Sequence, residues 1–277
     1  MSAAQDHEGF DRDSPRIAWV TGASRGVGRG IAVALGRAGW TVYVTARSHA
    51  NGRTSHLPGT VEESAEAVTA AGGRGVGIVC DHRDDAAVAA VAQRIGAQCG
   101  RLDLLVNNVW GGYERLNAGG WQEWNAPLWR QPIELFDAMF GAGVRAHYVA
   151  LARCAPLLIS TPASLAVTVS FATPTAEQHA FGAAYAMAKS ADDRLALAGA
   201  VQLREHGVTC VALHPGLVRT EGVMQFAEHL DLSSSQSPEG VGRTVAALAA
   251  DPGRLRLTGR SLSVQELADR YGVEVAS

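Results

Sequence analysis

The feature that most constrains this chain is a glycine-rich turn set between an apolar run and a helical stripe. Residues 16–21 (Arg-Ile-Ala-Trp-Val-Thr) pass into Gly22-Ala-Ser-Arg-Gly26-Val-Gly28, and Val27, Ile31, Ala34, Leu35 and Ala38 then recur at helical spacing up to Gly39. A short apolar run bounded by turn residues reads as a buried strand, and spacings of three and four read as one face of a helix. Strand, glycine turn and helix in that order are the context a phosphate-binding turn requires. The glycines let the backbone approach a pyrophosphate, and the helix start supplies unpaired N–H groups and a positive dipole. The turn therefore predicts a dinucleotide site.

The same alternation continues down the chain. Residues 41–46 read as a second strand, 59–71 as a helix and 74–80 as a third strand. Asp84 stands where it would cap a helix whose apolar face holds Val88, Val91 and Ile95. A fourth strand is expected at 102–107, a long helical stretch at 132–158 and a fifth strand at 164–170. A helix at 183–205, a sixth strand at 208–213, a helix at 238–249 and a short last strand at 260–264 complete the pattern. Strands separated by helices specify an α/β architecture, a doubly wound Rossmann fold with an about seven-stranded parallel sheet and helices on both faces. No linker or internal repeat divides the chain, so 15–277 reads as one domain behind a flexible polar tail at 1–14.

Composition excludes several functions. A net charge of −3 gives no reason to expect nucleic acid or an anionic membrane as partner. Cys80, Cys99, Cys154 and Cys210 form no CxxC pair, and the histidines show no HExxH spacing, so no metal is expected. The first 14 residues carry Asp6, Glu8, Asp11 and Asp13 without an apolar core, and read as neither signal peptide nor anchor. No apolar run is long enough to span a bilayer. The expectation is a cytoplasmic protein.

Residues 109–131 break the pattern. They hold four of the six tryptophans, Trp110, Trp121, Trp124 and Trp129, among Gly111, Gly112, Gly119 and Gly120. This piece leaves the carboxyl end of the fourth strand, the edge at which α/β sheets bind ligands. Trp110, Trp121 and Trp124 are candidate walls for a flat apolar substrate. The rings could equally pack the loop onto the body or onto a second subunit.

Lys189 is the only lysine in 277 residues, and it lies four residues after Tyr185 in Tyr185-Ala-Met-Ala-Lys189. On a helix these two side chains share one face. An ammonium held there favours the phenolate and is expected to lower the tyrosine pKa, which makes Tyr185 a candidate acid/base group.

Thr21-Gly-Ala-Ser-Arg-Gly-Val-Gly28, Asn107-Asn108, the Tyr185/Lys189 pair, and Pro215-Gly216 with Thr220 stand in order along the chain. With these motifs over roughly residues 15–265, the sequence resembles the short-chain dehydrogenase/reductase family. The tryptophan insertion, Gly143-Val-Arg-Ala-His-Tyr148 and the tail at 267–272 point to one subgroup within it. The resemblance implies that Gly22, Ser24, Arg25, Gly26, Val27 and Gly28 line the pyrophosphate and adenosine ribose, and that Asp81 bonds the adenine amino group. It also places Asn107 under the cofactor ribose and Pro215, Gly216 and Thr220 against the nicotinamide carboxamide. Arg47 and Ser48 end the second strand, where an acid would select NAD. With Arg25 they favour NADP(H) over NAD(H), because two guanidiniums suit a 2′-phosphate.

The chain departs from the family pattern at two catalytic positions. The usual serine, about thirteen residues before the Tyr, is replaced by Ala172; Ser170 and Thr173 are the candidates, with Ser170 favoured at the end of the fifth strand. Gly143 stands where the family carries an Asn that holds a relay water. The expected activity is NADP(H)-dependent hydride transfer between a carbonyl and an alcohol on a small, fairly apolar molecule, with a substrate loop at 217–237. The alternative is a non-catalytic NADP(H)-binding sensor or scaffold with the same fold. A homodimer or homotetramer is expected by analogy.

Overall fold

The computed structural model describes residues 15–171 and 182–276. Seven strands form one sheet in the order β3-β2-β1-β4-β5-β6-β7. They are β1 (Ile17–Thr21), β2 (Thr41–Ala46), β3 (Arg74–Val79), β4 (Leu104–Asn107), β5 (Leu165–Val169), β6 (Thr209–His214) and β7 (Ser261–Ser263). Every neighbouring pair is parallel. The chain runs outward from β1 to β3 on one side and from β4 to β7 on the other. The reversal falls between β1 and β4, and a crevice opens beyond their carboxyl ends.

β1, β2, β4 and β5 are buried along their whole length, as expected of parallel strands covered on both faces. Alternate residues of each strand feed two apolar layers. Ala18 and Val20 pack with Ile31 and Leu35 of α1 (Gly26–Arg37) and with Val241, Val245 and Leu248 of α9 (Pro238–Ala250). Ile17 and Trp19 face the other way, toward Val88, Val91 and Ile95 of α3 (Asp85–Cys99) and Cys154 and Leu158 of α6 (Ala146–Ser160). α2 (Val61–Ala70) starts with a full capping box between Thr60 and Glu63, and Asp84 caps α3 through the Ala86 and Ala87 amides.

The differences from the sequence-based expectations concentrate where glycines interrupt a pattern. Residues 109–131 carry a helix, α4 (Gly112–Trp124), broken at Gly120, whose φ of 76° leaves the helical region. The stretch at 132–158 is two helices, α5 (Ile133–Met139) and α6, joined by a π-helical turn, Phe140–Arg145. Gly141 and Gly143 flank Ala142 there, and Ala142 itself departs from helical geometry at φ −97° and ψ 29°. Such a turn inserts a residue into the helix and turns the side chains beyond it to new directions. α7 (Ala183–Leu203) comes after β5.

The segment 217–237 holds α8 (Glu221–Met224) and is tied at its base by the Val218–Gln236 bridge and by Arg219 donating to Ser235. A last helix, α10 (Val264–Tyr271), begins at a Ser263/Glu266 capping box and lies beyond the elements expected from the sequence. Among the described residues, no helix is long and apolar enough to cross a membrane. The tail at 1–14 lies outside the described residues.

Candidate active site

A cleft of about 300 Å³ opens at the β1/β4 reversal, with the glycine turn at one side and α7 at the other. Its floor depends on glycines. A Cβ on Gly22, which has a φ of +64°, would lie 2.7 Å from the Val109 backbone, and one on Gly28 would lie 2.5 Å from Asn108 Nδ2. Ser24, Arg25, Gly26 and Val27 line the cleft; Gly28 stands behind it and lets the β4 exit pack close. The Gly26 N–H opens α1 and donates to a Glu221 carboxylate oxygen at 2.9 Å. An anionic oxygen thus already sits on this helix start, and the donor chemistry fits a pyrophosphate oxygen.

The far end of the cleft is rich in guanidinium. Arg25 donates to Ser48 Oγ at 2.8 Å and to Ser55 Oγ at 2.5 Å. Its Nε is buried without a partner. Burial lowers the Arg25 pKa, Glu221 opposes this, and the nearby charges of Arg53 and Arg47 add to the lowering. Arg47 pairs with Glu114. Asp81 lines the cleft, and hydrogen bonding from Arg83 holds its carboxyl down to about 2. These residues could hold a phosphorylated adenosine, with the arginines toward phosphate and Asp81 toward the base.

Asn107 does not reach the cleft. It is fully buried, and its Nδ2 donates to the His147 carbonyl at 3.2 Å, tying β4 to α6. The next residue points the opposite way, as neighbours leaving a strand do. Asn108 is therefore the cleft residue, and its amide holds the turn through Thr21 O and Gly22 O at 3.0 and 3.1 Å.

Tyr185 and Lys189 lie one turn apart on α7 and both line the cleft with the glycine turn. The Tyr185 ring sits among Trp110, Trp124 and Phe171, with centroids 5.5, 5.7 and 5.9 Å away. Lys189 Nζ lies 3.2 Å from Asp192 Oδ2, 3.4 Å from Val169 O and 4.0 Å from the centre of a Trp110 ring. The expected lowering of the Tyr185 pKa is not found. Burial drives it well above its ordinary value, and Tyr113 and Asp192 push the same way. The Lys189 charge is engaged with Asp192 and the indole.

Ser170 lines the cleft, but its hydroxyl donates to the Lys189 carbonyl at 2.9 Å, so reaching a substrate oxygen requires the hydroxyl to turn. Thr173 and the side chain of Trp121 lie outside the described residues. Pro215, Gly216 and Thr220 line the cleft, and Thr220 also caps α8 through the Val223 amide. Trp124 is buried against Tyr113, their rings stacked 6.2 Å apart. Trp129 is 82 % exposed and takes no part.

Sequence reasoning missed Glu221, Asn108, Phe171 and the buried pair His147 and Asp192. Asp192 carried a usable signal: an acid three residues after the only lysine shares its helical face.

Comparison with known proteins agrees with this geometry. A sequence profile described as short chain dehydrogenase matches residues 16–231. The mouse (Mus musculus) protein dehydrogenase/reductase SDR family member 1 is 39% identical over 274 residues, covering 94% of this chain and 82% of the relative. A putative dehydrogenase from Xanthomonas campestris superposes with a TM-score of 0.81 at 26% identity, covering 93% of this chain and 90% of that one. A metagenomic short-chain oxidoreductase solved in complex with NADP gives a TM-score of 0.68 at 27% identity, covering 90% and 95%. The chain therefore belongs to the short-chain dehydrogenase/reductase family of NAD(P)-binding oxidoreductases.

Proposed function

We propose that the chain interconverts a carbonyl and an alcohol on a small, fairly apolar substrate, using NADP(H), with Tyr185 as the acid/base group. The observation that carries this reading is that Tyr185 and the sole lysine share one aromatic-walled cleft with the glycine turn. When bound, the dinucleotide supplies or accepts the hydride.

Tyr185 would give its phenolic proton to the oxygen of the reducing carbonyl, and take it back in oxidation. A buried phenol with its pKa raised can donate its proton when the carbonyl is reduced. Lys189 would hold the ribose side and place positive charge beside the phenol. Ser170, or Thr173 from the segment after it, would polarise the carbonyl. Trp110 and Trp124 would wall a flat apolar substrate and exclude water.

The preference for NADP(H) rests on Arg25 and Arg47 around Ser48, a donor set suited to a 2′-phosphate. One structurally similar oxidoreductase was solved with NADP, in line with that choice. The single-domain organisation, a cytoplasmic location and a homodimer or homotetramer belong to the same reading. Tyr148 on α6 and Leu197 and Val201 on α7 stay exposed, which supports assembly through those helices.

A non-catalytic NADP(H) sensor is the second reading, favoured by the Ser170 proton being donated to a backbone carbonyl. The test is a panel of ketones and aldehydes with NADPH, run on the parent and on Tyr185→Phe. Loss of turnover by about 100-fold or more, with NADPH affinity kept, is expected of an acid/base tyrosine. NADPH binding with no carbonyl reduced would establish the sensor instead.

A further inference from the structure

Lys189 is surrounded from three elements. On α7 its Nζ meets Asp192 Oδ2 at 3.2 Å. Asp192 is fully buried and faces His147 Nδ1 of α6 across 2.8 Å. The other ring nitrogen of His147 faces the Val109 carbonyl at 2.9 Å, beyond the end of β4. The next residue is Trp110, whose ring lies 4.0 Å from Nζ. The loop of contacts thus closes on the ammonium.

Both ring nitrogens of His147 face oxygen acceptors, one a carbonyl and one a carboxylate. Asp192 thus meets both His147 and the Lys189 ammonium, and the Lys189 charge lies between this carboxylate and the indole. Burial alone would raise the Asp192 carboxyl; His147 and Lys189 outweigh it and hold it below the ordinary range.

Gly143 supplies the space. A Cβ built there would lie 3.0 Å from Cε3 and Cζ3 of Trp110, tighter than most real contacts. The π-helical turn brings this glycine under the indole, so the ring fills the room that a side chain at 143 would enter. An indole face attracts a cation, more strongly where water is excluded.

We propose that Trp110, seated on Gly143, and the Asp192–His147 pair are positioning residues for Lys189, holding its ammonium at the cleft. This rests on Tyr185 and Lys189 being the acid/base pair. It adds a steric coupling: the Trp110 ring and any side chain at 143 compete for one space.

The test has a spectroscopic arm and a kinetic arm. Because Lys189 is the only lysine, selective isotope labelling gives one assignable side-chain signal in the cofactor-free protein. Its ε-methylene protons are expected well upfield, from the indole ring current, and to return toward ordinary values in Trp110→Leu but not in Trp110→Phe. In kinetics, Trp110→Leu is expected to lower kcat roughly tenfold, with KM raised as well because the ring also walls the substrate, and Trp110→Phe to keep more of kcat than Trp110→Leu. Gly143→Asn alone is expected to melt at lower temperature, and Trp110→Ala/Gly143→Asn to recover melting temperature relative to Gly143→Asn. An unshifted Lys189 signal in the parent protein, or purely additive effects in the double variant, overturns the proposal. An upfield signal together with full turnover in Tyr185→Phe would leave the positioning intact and overturn the acid/base reading.

Discussion

The Glu221 carboxylate accepts a hydrogen bond from the Gly26 amide at 2.9 Å, on the first residue of α1. Glu221 opens the short helix α8, and Arg25 lies within its electrostatic reach. The amide proposed to receive a pyrophosphate is therefore engaged by a charge of the same sign, and cofactor entry there would have to move that carboxylate. Glu221→Gln is expected to tighten NADPH binding several-fold, because the neutral amide competes less well for an amide at a helix start. Fluorescence titration at fixed ionic strength checks it, and weaker binding would contradict it.

Arg47 and Arg25 are expected to set cofactor choice. A charge-assisted contact to a phosphate contributes about 1.5–3 kcal/mol, or roughly 10- to 100-fold in affinity. Arg47→Asp should lose NADPH affinity by that order and leave NADH affinity nearly constant. Paired titrations with both cofactors decide it, since an unchanged ratio removes Arg47 from the site.

The two neighbouring asparagines should separate cleanly. Asn107 is buried and bonds only inside the fold, so Asn107→Ala is expected to cost about 1–3 kcal/mol in stability. Asn108 holds the glycine turn, so Asn108→Ala should chiefly weaken cofactor binding. Denaturation and binding measured on both variants would expose a reversed assignment.

His82 ties acid stability to burial. It is 2 % exposed, its Nε2 bonds Thr45 Oγ1 at 3.0 Å, and burial, with His147 nearby, brings its pKa down to about 3. Above its unfolded value, near 6.5, the ring is neutral in both states. Between that value and about 3 only the unfolded chain binds the proton, so stability falls as pH falls. At pH 5 this one group is expected to remove about 2 kcal/mol relative to pH 7. Urea denaturation at both pH values should give a smaller pH-dependent loss for His82→Gln than for the parent.

The sheet was legible because parallel strands buried on both faces write themselves as near-continuous apolar runs, as in Leu104–Asn107 and Leu165–Val169. The glycine turn was legible because Gly22 and Gly28 stand where any Cβ would collide with the β4 exit. The features that stayed hidden depend on direction rather than identity. Asn107 and Asn108 are chemically identical, and only the strand's alternation decides which faces the cleft. Ser170 stands just past the end of β5 and lines the cleft, but nothing in its identity says that its proton goes to Lys189 O. The Asp192–His147 contact joins residues 45 positions apart, and no local spacing encodes it. Helix α4 was hidden because glycines at 111, 112, 119 and 120 lower helix propensity, while Leu116 and Trp124 anchor it through tertiary packing.

A chain with one lysine offers a lysine-specific endoprotease a single target, the bond after residue 189, set within α7 at a side chain that is 7 % exposed. The folded protein should resist the enzyme, and every cut should yield the same two fragments. Where reclosing outpaces cleavage, the rate of nicking measures how often α7 comes open. Lys189 thus serves as a gauge of that helix's local stability, and any ligand that fastens α7 should slow the cut in proportion.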